Sequence, residues 1–223
     1  MPARYIPLSS GGLYHVFNRG ITDQSTFIDA KDYSRARDSL TFYRSLRPPG
    51  RFSHFLRLPD SKKHEYLELL GKTKGQLVDL VAYCLMPNHF HFLVKQILDN
   101  GISTFTGQFT NSYTRYFNTR RHRIGPLFQG RFKAVHIESD EQLVHVSRYI
   151  HLNPYSSGIV HAVSDLKTYP YSSLPEYLEP SEAGVSQNGL VLDLFPHGDY
   201  WNFISDQADY QRGLASIKHI TFE

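Results

Sequence analysis

At 223 residues, with 40% hydrophobic and 20% charged side chains, the chain has the make-up of one globular domain with a sizeable core, which excludes a disordered or fibrous protein. No apolar run approaches the length of a membrane span, and Arg4 is the only early basic residue ahead of a polar start, so neither a signal peptide nor an anchor is expected and the location expected is cytoplasmic. The formal net charge of +3 is small but unevenly spread: Arg115, Arg120, Arg121, Arg123, Arg131 and Lys133 fall in a stretch without acids between Asp99 and Glu138, whereas residues 168–211 lack Lys and Arg and hold Glu176, Glu179, Glu182, Asp193, Asp199, Asp206 and Asp209. The basic stretch, interleaved with Phe and Tyr, reads as a polyanion-binding face, a role closed to the acidic tail. The single Cys84 excludes an internal disulfide and, inside an apolar run, reads as a buried structural thiol.

In chain order, Leu13–Asn18 alternates as a first strand that contains His15 and closes at Arg19-Gly20. Asp29 or Asp32 then caps a helix to about Leu46, with Tyr33, Ala36, Leu40 and Tyr43 spaced at three and four, and Arg47-Pro48-Pro49-Gly50 stops it. Residues 51–75 predict little beyond a short helix over Lys62–Leu70. Gln76–Leu85 reads as a second strand that turns at Met86-Pro87-Asn88 into a third, His89–Val94, most simply as an antiparallel hairpin. Ser103 is the expected cap of a helix over Thr104–Asn118 with an aromatic stripe, followed by a basic loop and a fourth strand, Phe132–Ile137. Ser139 or Asp140 caps a last long helix that Asn153-Pro154 should end near Leu152. The order β-α-β-β-α-β-α predicts an α+β chain with a ferredoxin-like antiparallel sheet and packed helices over residues 1–179. Residues 180–223 read as an acidic C-terminal extension packed on or beside it, with a short helix near 205–218.

The chemistry concentrates in Tyr83-Cys84-Leu85-Met86-Pro87-Asn88-His89-Phe90-His91-Phe92-Leu93-Val94. Strand side chains change faces at every residue, so His89 and His91 share one side while Phe90 and Phe92 bury on the other. Two imidazoles on a strand are half of a metal site, or simply two histidines on a wet face. On the last helix His145, Tyr149 and Asn153 are four apart and share a face, so a phenol stands one turn from an amide that could join the imidazoles.

These stretches resemble the REP-associated tyrosine transposases, single-tyrosine members of the HUH (His–hydrophobic–His) endonucleases and relatives of bacterial insertion-sequence single-strand transposases. The resemblance runs over about residues 12–179. It is carried by Tyr14-His15-Val16-Phe17-Asn18-Arg19-Gly20, Ala82-Tyr83-Cys84-Leu85-Met86-Pro87-Asn88-His89-Phe90-His91, Tyr116-Phe117-Asn118, Gly125-Pro126-Leu127-Phe128-Gln129-Gly130-Arg131-Phe132-Lys133 and Arg148-Tyr149-Ile150-His151-Leu152-Asn153-Pro154, with a weaker echo at Tyr169-Pro170-Tyr171-Ser172-Ser173. The segment 47–75 departs from the family pattern by its length.

The resemblance implies that His89 and His91 are metal ligands, that Asn153 stands where relatives carry a Gln completing the site, and that Tyr149 is the nucleophile. It implies Mg or Mn as the ion, cleavage and rejoining of single-stranded or hairpin DNA through a 5′-phosphotyrosine, and no nucleotide cofactor, because the phosphodiester energy is conserved in the adduct. His145 is a candidate assisting base, and the basic residues from Arg115 to Lys133 are candidate DNA contacts. Two rivals remain at this point: a transposase-derived protein that only binds a DNA or RNA hairpin, and a metal hydrolase with no covalent step. The sequence leaves monomer and dimer open.

Overall fold

The computed structural model describes residues 7–45, 48, 50–72, 75–179, 184–195 and 199–221. Strands β1 (Leu13–Arg19), β2 (Val78–Met86), β3 (His89–Gln96) and β4 (Lys133–Ile137) form one antiparallel sheet in the order β2-β3-β1-β4. Helices α1 (Ala30–Tyr43), α2 (Phe52–Phe55) and α3 (Asp60–Lys72) follow β1, α4 (Gly101–Arg120) follows β3, and α5 (Asp140–Ser156) follows β4. The expected ferredoxin-like α+β order is the one observed. The C-terminal part adds α6 (Leu174–Leu178), α7 (Gly189–Leu192), α8 (Tyr200–Ser205) and α9 (Ala208–Thr221).

Both faces of the sheet are covered, and strand alternation sorts the side chains between two cores. Tyr14, Val16, Leu80, Phe90 and Phe92 meet Leu40 of α1 and Phe105 and Phe109 of α4 on one face. On the other face Val81, Cys84 and Leu93 meet Ile150 and Leu152 of α5, and beyond them Val191, Tyr200 and Ile204. Residues of the C-terminal part are therefore integral to the second core, with α9 lying along α5. The outer edge of β2 is closed by chain that follows α5: Leu85 N donates to Tyr171 O at 2.8 Å, Ser173 N to Tyr83 O at 2.9 Å, and Gln187 N to Leu80 O at 2.7 Å. Covered on both faces and along its edge, β2 is buried at nearly every residue, which is why it reads in sequence as an apolar run from Leu80 to Met86.

Two helix ends differ from expectation. Helix α4 begins at Gly101, not at a Ser103 cap, because β3 itself supplies the capping group: Gln96 Oε1 accepts from Ile102 N at 3.2 Å. Asn100 turns the chain in a left-handed conformation (φ 59), and Gly101 lies so close to the Leu77 carbonyl that any side chain would collide with it. Helix α5 does not stop at Asn153 but runs through Pro154 to Ser156. Proline removes the bond its own nitrogen would donate and crowds the Ile150 carbonyl, yet this close to the end the helix still closes through Ser157 N to Asn153 O at 3.0 Å. Helix α1 starts at the expected cap, where the Asp29 side chain accepts from Lys31 N and Asp32 N, but it ends at Tyr43, and the expected stop at Arg47–Gly50 lies partly outside the described residues.

The basic stretch is not a uniform charged face. Arg120 Nη1 meets Asp29 at 2.7 Å and Asp32 at 2.6 Å, and Arg121 Nη2 meets Asp32 at 2.6 Å, with the Asp32 side chain fully buried. The end of α4 is thereby clamped to the start of α1. The hydrogen bond from Arg120 is the largest cause holding the Asp29 carboxyl down at about 2. A depressed carboxylate stabilises the fold above its unfolded value of about 4, and that contribution is lost as the pH falls toward 2. Replacing Arg120 and Arg121 by Ala leaves a buried carboxylate without a counter-charge, so urea unfolding is expected to show a loss of about 3–5 kcal/mol. A stability within 1 kcal/mol of the parent would mean that the clamp carries no weight.

Candidate active site

Three strands and one helix bring the site together. In register across the sheet, Phe17 of β1 stands opposite both His91 of β3 and Lys133 of β4, Arg19 opposite His89, and His15 opposite Leu93. These residues share the face that α5 covers. There His91 is 6% exposed, and the ring of Tyr149 stands edge-on to it, 5.5 Å between centroids, and edge-on to His15 at 5.9 Å. The His89 and His91 rings are 4.9 Å apart and perpendicular. The expectation that Tyr149 lies on the His89/His91 side of the sheet, away from Phe90 and Phe92, agrees with the geometry. Tyr149 is 38% exposed, open to a substrate from solvent.

The imidazoles are fixed by neighbours. His89 Nδ1 donates to Asn88 Oδ1 at 2.6 Å, which leaves Nε2 as its free lone pair. His91 Nδ1 is 2.9 Å from His15 Nε2. With the proton on His91 Nδ1, His15 is the acceptor and His91 also presents a bare Nε2. Desolvation lowers His15 and His89 to about 4, the charge of Arg19 adding to the effect on His89, and lowers His91 well below the ordinary imidazole value, with its neighbouring imidazoles contributing. All three rings are neutral near pH 7, the form that a metal takes.

Asn153 is buried, and its Nδ2 donates to the Tyr149 carbonyl at 2.8 Å, which turns Oδ1 into the amide atom left for a ligand. Among the described residues no group of three or more His, Cys, Asp or Glu side chains is placed to hold an ion. A cation at this spot would therefore rest on two imidazoles plus the amide oxygen, and the donor chemistry fits: neutral nitrogens and one carbonyl oxygen. The phenol of Tyr149 is raised above its ordinary value, chiefly by desolvation, while the Asn153 amide and the charge of Arg19 act in the opposite sense.

Other sequence-derived candidates are dispersed. His145 is exposed and its Nδ1 takes Arg148 Nη2 at 2.7 Å, with its ring against Phe203 of α8. That lone pair is occupied, so the geometry does not offer His145 to the Tyr149 proton. Arg131 and Lys133 are exposed at the start of β4 beside the imidazole face. Arg115 is exposed on α4, in the opposite layer, and Arg123 holds the loop after α4 through Asn118 Oδ1 at 3.0 Å and Pro126 O at 2.8 Å. Arg120 and Arg121 are engaged by Asp29 and Asp32 as described. Tyr116 and Tyr155, the other tyrosines near these motifs, donate to Asp32 at 3.1 Å and Asp209 at 2.6 Å. Arg19 is not among the site residues expected from the sequence, although strand alternation continued by one residue puts it on the face of His15.

Comparison with known proteins bears on this arrangement. Residues 58–153 match the family model described as "Transposase IS200 like", a span that includes His89, His91, Tyr149 and Asn153 and stops short of β1. Residues 58–153 are thus similar to an IS200-like transposase over less than half of the chain. The chain is 34% identical over 106 residues to a Haemophilus influenzae protein described as "Putative REP-associated tyrosine transposase", a match covering 43% of this chain and 58% of that protein. The chain thus spans little more than half the length of that relative. A solved structure described as the REP-associated tyrosine transposase bound to a REP hairpin superposes with a TM-score of 0.57 at 15% identity, covering 86% of this chain and 93% of the other. At that identity the likeness establishes the fold, which agrees with the ferredoxin-like expectation.

Tyr149 is held by what lies beneath its helix. His151 is fully buried, with Nδ1 2.8 Å from Tyr200 Oη and Nε2 2.8 Å from Ser173 Oγ, and Tyr200 Oη also donates to Ser147 Oγ at 2.9 Å. Burial lowers His151 to about 3, so it is a neutral pin joining α5, α8 and the edge of β2. Tyr200→Phe leaves the His151 and Ser147 atoms short of a partner, and urea unfolding is expected to show a cost of about 1–3 kcal/mol. An unchanged midpoint would remove this network from the account of how α5 is positioned.

Proposed function

We propose that this protein is a divalent-metal-dependent, single-stranded DNA endonuclease and strand transferase that acts through a 5′-phosphotyrosine at Tyr149, on hairpin-forming DNA. The observation that carries the reading is the convergence of Tyr149 from α5 on His91 of β3 and His15 of β1, with His89 alongside. The IS200-like domain match, and a neighbour of the same fold bound to a REP hairpin, support DNA as the substrate. Exposed Arg131 and Lys133 beside the imidazole face suit a phosphate backbone.

His89 Nε2, His91 Nε2 and Asn153 Oδ1 would hold the ion, Mg or Mn, which when bound supplies Lewis-acid withdrawal of charge from the scissile phosphate. The Tyr149 oxygen attacks phosphorus in line, the new phenol-oxygen–phosphorus bond forms, and the bond to the 3′-oxygen breaks, so that the 3′-oxygen leaves as a hydroxyl once protonated. The phenol must lose its proton, and its raised pKa means that this loss needs help. Arg19, opposite His89 in register, favours the phenolate electrostatically and suits a phosphate oxygen. Attack of another 3′-hydroxyl on the adduct reverses the step and rejoins the strand.

With labelled single-stranded hairpin DNA and Mn, the parent protein is expected to form a covalent adduct on a denaturing gel. Tyr149→Phe should lose the adduct while retaining DNA affinity within about threefold, since no charge is removed. An undiminished adduct would move the nucleophile to another tyrosine, and metal-dependent cleavage without any adduct would replace this reading by a hydrolase that uses water.

His15 is a positioning residue for His91. Loss of a group that orients a metal-ligating histidine costs about tenfold or more in metal affinity. His15→Leu is therefore expected to weaken Mn binding, read by calorimetry or by the electron paramagnetic resonance of free Mn, while His15→Gln, whose amide oxygen can accept from His91 Nδ1, should recover most of it. Equal affinity in both variants and the parent would reduce His15 to packing.

A further inference from the structure

On the layer of the molecule opposite Tyr149 lies a separate cleft, bordered by α1, Pro48, residues 50–57 and the outer face of α4, with a volume of about 810 Å³. That size suits a single small ligand such as one nucleotide. Arg35, Arg51, Arg57, Arg115 and Arg120 line it, and no acidic side chain does among the described residues. Arg120 is engaged by Asp29 and Asp32, but Arg51, Arg57 and Arg115 are exposed and make no ion pair among the described residues. Part of this wall belongs to the segment in which the chain departs from the family pattern.

Two buried atoms in this region lack partners. Arg35 is 9% exposed, with its guanidinium 4.1 Å from the centroid of Phe52 and 5.5 Å from that of Tyr116, and its Nε meets no acceptor. Gln108 Oε1, from α4, is buried and meets no donor. Buried polar atoms without partners are costly, so a ligand that satisfies both gains by it. The two atoms ask for opposite things. A phosphate offers only acceptors, which suits Arg35 and the exposed arginines but not the Gln108 oxygen. A nucleobase edge carries N–H donors, and Tyr43 and Tyr116 on the same walls offer aromatic surface. The face of α4 continues into a shallower hollow beside Arg123 and Ile124, whose side chain is 93% exposed, so a strand leaving the cleft has a path along the helix.

We propose that this cleft is a second DNA site that holds an unpaired nucleotide, with Arg51, Arg57 and Arg115 on the phosphates and the base edge donating to Gln108 Oε1. The proposal rests on DNA being the partner, as read above, but not on Tyr149 chemistry. It gives the chain an anchoring point for a strand on the far side of the sheet from the site of cleavage.

The test is fluorescence anisotropy of the full chain with three probes: a labelled hairpin with single-stranded flanks, a labelled thymidine 12-mer, and a 12-mer lacking bases. Free deoxynucleoside monophosphates serve as competitors. The triple variant Arg51→Ala, Arg57→Ala, Arg115→Ala changes only exposed side chains, and its fold is checked by urea unfolding. It is expected to bind hairpin and thymidine 12-mer at least tenfold more weakly. Its slope of log affinity against log salt should be shallower by about two units, at roughly 0.7 per lost single-strand contact. Gln108→Leu should bring the affinities of the thymidine and base-free 12-mers together, from a parent ratio of several-fold. Unchanged affinity and slope in a folded triple variant would overturn the proposal. So would an arginine effect with no difference between the thymidine and base-free probes in the parent. Competition by free monophosphates without any oligonucleotide effect would assign the cleft to a mononucleotide instead and equally overturn it. Absence of a covalent adduct in the parent would sink the proposed cleavage reaction but leave these anisotropy outcomes to decide the cleft.

Discussion

The constraint on which this structure depends is the two-residue period of β3. Because successive side chains leave opposite faces, one short run places Phe90 and Phe92 against the aromatic stripe of α4 and His89 and His91 under α5. A slip of one residue in register would turn the imidazoles into the aromatic core of α4 and the phenylalanine rings toward α5. The register is held on both sides, by β1 from Leu13 to Arg19 and by the hairpin with β2, and the outer edge of β2 is itself closed by the chain after α5. The same strand that offers the imidazoles also caps α4 through Gln96, so the two helical layers are referenced to one element.

The histidines on that face illustrate how a buried polar group takes its role from its partners. His15, His89 and His91 are all neutral through desolvation; the Asn88 oxygen leaves His89 a free lone pair at Nε2, and with the proton on His91 Nδ1 the contact with His15 leaves His91 one as well. His151 is neutral for the same reason, but both of its nitrogens are occupied by Tyr200 and Ser173, so it serves as a brace and has nothing to offer a ligand. The residues of the C-terminal part that complete this brace fill the second core. Gln211 of α9 also reaches the Tyr149 carbonyl at 3.2 Å, so α5 is held from below and from its flank.

Charge is divided by the same logic. A basic stretch in sequence separates in space into two arginines that staple α4 to α1, one that shapes a loop, and three residues, Arg115, Arg131 and Lys133, that face solvent in two different layers. Coulomb attraction inside a partly dry site makes the pairing of Arg120 and Arg121 with the buried Asp32 a structural matter, whereas Arg115 and Lys133 keep their charge for solvent or for a polyanion. The acidic residues nearer the C-terminus are likewise partly spent internally: Glu176 accepts from Tyr83 at 2.9 Å and from Ser186, and Asp209 accepts from Tyr155, while Glu182 lies outside the described residues.

Local periodicity was enough to determine the β-α-β-β-α-β-α order, the hairpin at Pro87-Asn88, the shared face of His89 and His91, and the four-residue spacing that sets Tyr149 one turn from Asn153, because each depends on neighbours in the chain. Only the tertiary structure decided which groups answer one another across it. Ser103 was a plausible cap until Gln96, seven residues earlier on a strand, took that place. Pro154 was a plausible stop until the surrounding core carried α5 one more turn. Asp29 and Asp32 claimed two arginines about ninety residues away, His15 found His91 through the pairing of β1 with β3, and Arg148 took the lone pair of His145. The Asp32 clamp and the His15–His91 contact turn on distances of about 3 Å between residues far apart in sequence, and such distances exist only once the fold has brought its elements together.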